Sequence, residues 1–89
     1  MFVGEVVGNM VATRKNEKLT GSKLLVVKPF DNMKKSTDGL MVAVDLVGAG
    51  IGEEVLVVTG SSARVVQDTA DAPVDAAIVG IVDNIDIRE

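Results

Sequence analysis

The chain has 89 residues, of which 47% are apolar and 2% aromatic, and thirteen acidic against nine basic side chains give a net charge of −4. A domain this short buries only about 60–65% of the surface its unfolded chain exposes, so one domain over residues 1–89 is expected. Cysteine and histidine are both absent, which excludes a disulfide framework, a thiolate metal site and a histidine general base. The acidic balance is the reverse of the basic footprint that nucleic-acid modules carry.

Residues 2–13 read as the first strand. Phe2, Val6, Met10 and Ala12 fall on one face with Gly4 and Gly8 between them, and Val3, Val7 and Val11 alternate with Glu5, Asn9 and Thr13 on the other. Period-two patterning rich in β-branched residues is a strand signal. The two glycines mark bends or close backbone approach. A polar loop over 14–22 leads to a second strand, Lys23 to Lys28, whose centre is apolar on both faces. Pro29 has no N–H for a ladder and ends that strand or sits on an edge. Turn formers fill 30–39, with Lys34 and Lys35 at a solvated tip.

Leu40 to Leu46 form the third strand, with Asp45 near its end. Gly48, Gly50 and Gly52 make a glycine-dense turn, and Glu53 to Thr59 form the fourth strand. After Gly60, Ser61 or Ser62 caps a helical turn through about Asp68, because a serine oxygen satisfies free N–H groups there. Asp71, Ala72 and Pro73 are linker. The last strand runs from about Asp75 to Arg88, apolar on both faces over Ala76 to Val82 and then alternating, with Ile85 and Ile87 against Asn84, Asp86 and Arg88. Five short strands with glycine-rich turns suggest an all-β barrel, which removes exposed edges by closure. The outer face of the last strand is expected to lie bare in a single barrel, and the aliphatic surplus points to an oligomer.

Met1 leads straight into a strand pattern with no secretory signal, and no apolar run approaches the ~18 residues of a membrane span. A cytoplasmic location and no membrane partner are expected.

Few residues carry chemistry. The run GAGIGE at 48–53 is near a dinucleotide fingerprint, but its third glycine comes one residue early and a strand pattern follows where a helix is required. A tight turn needing positive φ is the better reading. Glu53 and Glu54 are adjacent and so point to opposite faces of a strand. Asp83 and Asp86 are offset by three, again on opposite faces. Asp45 and Asp75 stand at strand ends, where turn bonding is the usual role. Ser61, Ser62 and Arg64 have no histidine to activate a serine; a cap and an interfacial arginine account for them. No catalytic residue, metal ligand or cofactor site is expected.

Four ordered segments carry a resemblance: GEVVGNMVATRK near the start, LTGSKLLVV at 19–27, VAVDLVGAGIGEEVLVVTGSSAR at 42–64 and PVDAAIVGIVDNIDI at 73–87. Together they span nearly the whole chain, and in this order they resemble the EutN/CcmL family of microcompartment vertex proteins. The resemblance implies a five-stranded, OB-like β-barrel with one short helix that assembles into a cyclic ring. It implies homopentamers, with a hexamer as the alternative, that cap the five-fold vertices of a polyhedral shell built mainly of hexameric shell proteins, without catalysis. It places Gly48, Ala49, Gly50, Ile51 and Gly52 at the ring axis, and Ser61, Ser62 and Arg64 near subunit contacts. The alternative function is a small-molecule- or nucleic-acid-binding OB-like barrel. The two phenylalanines and the negative charge count against base stacking in a basic groove.

Overall fold

A computed structural model gives the arrangement of residues 1–11, 21–30, 39–61, 63, 74–86 and 88. Five strands form: β1 (Phe2–Met10), β2 (Leu24–Pro29), β3 (Met41–Asp45), β4 (Glu54–Thr59) and β5 (Ala76–Ile81). They close into a barrel in the order β1-β2-β3-β5-β4, with β4 returning to β1. All neighbours are antiparallel except β3 and β5, which run parallel through Val44↔Ala77 and Asp45↔Ile78. This is the expected all-β barrel.

Alternation fills the barrel. Val6, Leu25, Val27, Ala43, Val55, Val57 and Ile78 point inward and are almost fully buried. The wall is narrow enough that one position tolerates no side chain. A Cβ on Gly4 would lie 2.7 Å from Val27 Cγ1 and 2.8 Å from the Lys28 carbonyl oxygen, so the close approach expected there is present. Pro29 closes β2 as its last residue, paired with Gly4.

Three expectations are corrected. β1 carries an irregularity between Val6 and Gly8, so Val7 is an extra residue with no cross-strand partner. Directly opposed residues share a face, and a one-residue slip exchanges faces. Met10, read as facing with Val6, therefore stands opposite Leu24 on the outer wall and is 43% exposed. The strand itself ends at Met10, and Ala12 and Thr13 lie outside the described residues.

β5 stops at Ile81 and does not run on to Arg88. Its partner runs out: the Val82 N–H reaches the Glu54 carbonyl at 2.8 Å, but Glu54 is the first residue of β4, and two residues earlier Gly52 turns the chain at φ 93°. The alternating pattern beyond Ile81 has no ladder left to join.

The outer face of β5 is not bare. Val44, Val58 and Ala77 form a second buried cluster with Ala63 and Val74, with Leu24 and Val79 packed against it. Ala63 and Val74, on either side of the stretch outside the described residues, thus pack on this wall. The Gly60 N–H donates to the Asp75 carbonyl (2.8 Å) and the Ala63 N–H to the Gly60 carbonyl (3.2 Å). Ser61 and Ala63 have helical backbone, and the rest of the expected helical turn, Ser62 and residues 64–68, lies outside the described residues.

Candidate functional site

Strand polarity puts the C-terminal ends of β1, β3 and β5 and the N-terminal ends of β2 and β4 together. The segment between β3 and β4 crosses that end of the barrel, and it contains the glycine run.

Asp45, the last residue of β3, organises the segment. Its Oδ1 accepts from the N–H groups of Val47 (3.1 Å), Gly48 (3.2 Å) and Ala49 (3.2 Å), and its Oδ2 accepts from Ala49 at 3.1 Å. The side chain is 2% exposed; a carboxylate can be that enclosed because donors surround it. Lys23, the residue before β2, closes the arrangement. Its Nζ donates to the Ala49 carbonyl at 3.0 Å and lies 3.7 Å from Asp45 Oδ2. The Gly50 N–H donates to Glu53 Oε1 at 2.6 Å, and the Gly52 N–H to the Val6 carbonyl at 2.8 Å.

Two of the three glycines are needed by conformation. Gly48 has φ 79° and Gly52 φ 93°, a region that side-chain-bearing L-residues avoid, while nothing crowds either position. Ala49 turns inward and joins the barrel core at 1% exposure, closing the mouth, while Ile51 projects at 64%. The expected tight turn is therefore present. A nucleotide site is not: the amides that would cradle phosphate are taken by Asp45 and Glu53, and β4 follows in place of a helix.

The other polar residues singled out by sequence do not converge here. Glu54 pairs with Glu5 across β4 and β1. Asp86 forms an exposed ion pair with Arg88 at 3.2 Å, and Asp83 is exposed. Ser61 is exposed at the opposite end of the barrel, while Ser62 and Arg64 lie outside the described residues. Among the described residues no group of three or more carboxylates is placed to hold a metal ion. The roles of Lys23 and Glu53 were not legible in the sequence. Asp45 was, since a short carboxylate ahead of a glycine turn bonds the amides two to four residues on.

The chain is thus a closed five-stranded barrel crossed at one end by a loop that bonds its own polar groups. The family model described as "Ethanolamine utilisation protein EutN/carboxysome" matches residues 1–83. The bacterial microcompartment shell vertex protein GrpN of Rhodospirillum rubrum is 46% identical over 86 residues, covering 97% of each chain. The carboxysome shell vertex protein CcmL of a Synechocystis strain is 42% identical, over 98% of this chain and 87% of that one. The solved structure of GrpN, a pentameric microcompartment shell protein from Rhodospirillum rubrum, superposes with a TM-score of 0.90 at 45% identity, covering 99% of this chain and all of the other. The chain belongs to the EutN/CcmL family.

Proposed function

We propose that this chain is the vertex subunit of a bacterial microcompartment shell, five copies forming a ring that closes a five-fold corner. The observation that carries this reading is the end-to-end match, in sequence and in barrel geometry, to the pentameric shell protein GrpN. The role is structural, without catalysis and without a nucleic-acid or membrane partner. The ring sits in a shell in the cytoplasm and meets hexameric shell proteins at its rim. A sheet of six-fold tiles closes only through five-fold defects, which gives a pentamer its task.

Within the ring, the loop Gly48, Ala49, Gly50, Ile51 and Gly52 faces the axis. Small residues allow several copies to crowd there, and the Asp45 and Glu53 bonds make the loop a fixed rim. Ser61, Ser62 and Arg64 belong to the subunit contact at the other end of the barrel.

Light scattering on the purified protein gives the first test, with a mass near five chains of 9.3 kDa expected. Co-expression with hexameric shell proteins, with and without this chain, gives the second. Electron microscopy should show closed polyhedra only in its presence; closed shells without it would overturn the vertex role.

A further inference from the structure

With the outer face of β5 covered by Ala63 and Val74, the aliphatic surplus has to be sought elsewhere, and it gathers at the glycine-loop end. There Met10 and Val11 are 43% and 89% exposed, and Leu46 and Val47 are each 39% exposed. These residues form two unlike features. Between β1 and β2 lies a hollow of about 370 Å³ lined by Asn9, Met10, Val11, Ser22, Lys23 and Leu24. Further round the wall, over β3 and β5, Leu46 and Val47 form a ridge, held there by the Leu46 N–H on the Ile78 carbonyl (3.2 Å) and the Val47 N–H on Asp45.

We infer that the hollow of one subunit receives the Leu46–Val47 ridge of the next copy, and that this contact builds the inner part of the ring. The inference rests on the ring reading above. A contact between two different patches on each chain is heterologous, and repeated with a fixed rotation it closes into a ring. The occupant is a second copy because the 45% identical relative with the same barrel is pentameric, and because ridge and hollow lie on the end of the barrel that carries the loop. The contact removes from water the apolar side chains that the chain's own fold leaves open. The ridge is presented rigidly: Asp45 fixes its backbone from below, so little order has to be gained on docking.

The absence of native cysteine allows a direct test. A Val11→Cys, Val47→Cys double variant treated with a short bismaleimide should give a ladder up to the covalent pentamer on a denaturing gel, and each single variant only the monomer band. In parallel, Val11→Asp and Val47→Asp should weaken ring assembly at least tenfold by light scattering while circular dichroism keeps the barrel signature. Leu40→Asp, exposed at the opposite end and outside both patches, should weaken assembly less than either of these. Rings that persist in both aspartate variants, or a double variant without a ladder, would overturn the contact and leave the ring reading standing. A monomeric unsubstituted protein would overturn both.

Discussion

Lys23 and Asp45 grip the two sides of one residue from the start of β2 and the end of β3: the Lys23 ammonium bonds the Ala49 carbonyl while the Asp45 carboxylate accepts the Ala49 N–H. The two contributions are unequal. Asp45 is enclosed and serves three amides, whereas the Lys23 side chain is 54% exposed, and exposed ion pairs contribute little. Asp45→Ala is therefore expected to cost about 2–3 kcal/mol, because hydrogen bonds to a charged group are the stronger ones and their loss strands donors. Lys23→Met should cost less than about 1 kcal/mol. Asp45→Asn, which retains one acceptor oxygen, should fall between. Urea denaturation at one fixed protein concentration measures all three, the fixed concentration being required because assembly stabilises the folded chain by mass action.

The glycine run separates by position. Gly48→Ala and Gly52→Ala force a side chain into positive φ and are expected to cost about 1–2 kcal/mol each. Gly50 has no such backbone, and a Cβ there would meet Glu53 Oε1 at an ordinary 3.5 Å. Gly50→Ala should stay within about 0.5 kcal/mol. Equal losses at all three positions in a thermal melt would mean that crowding, and not conformation, selects the glycines.

β1 offers a matched pair. At Gly4 an added methyl collides with Val27 and with the Lys28 carbonyl, while at Gly8 its nearest neighbour, Val26 Cβ, is 3.8 Å away. Gly4→Ala is expected to destabilise by about 1–3 kcal/mol through overpacking, and Gly8→Ala to be tolerated. Comparing their melting temperatures under identical conditions checks the difference.

Much of this architecture was legible in the chain. All five strands were located, β1 by alternation across the barrel wall and the others as short apolar runs bounded by glycine, proline and polar turn residues. What escaped depends on partners distant in sequence. The bulge at Val7 leaves no mark in the hydrophobic pattern, since valine suits either face, and it turns Met10 outward. The Ile85–Ile87 alternation has no ladder to join, because β4 begins only at Glu54 and Gly52 turns the chain just before it. A strand pattern records what a segment tolerates; pairing is decided by where an extended partner exists. The same limit hid Lys23, which meets Ala49 across 26 residues, whereas Asp45 acts on the next few amides and could be read.

The two-sided character of β5 gives the last test. Ile78 is fully buried inside the barrel, and its neighbour Ala77 is fully buried on the outer wall against Val44, Val58 and Ala63. Adjacent residues thus fail in opposite ways. Ile78→Ala empties a central volume and is expected to cost about 2–5 kcal/mol. Ala77→Leu needs room that the outer cluster lacks, at about 1–3 kcal/mol, and that cluster yields by lifting the connection that carries Ala63 and Val74. Hydrogen exchange separates the two. Ile78→Ala should accelerate exchange throughout the barrel strands, while Ala77→Leu should accelerate it first at Ala63, whose amide bonds the Gly60 carbonyl. Uniform acceleration in both variants would mean that the outer cluster unfolds only with the barrel, making the connection part of one cooperative unit.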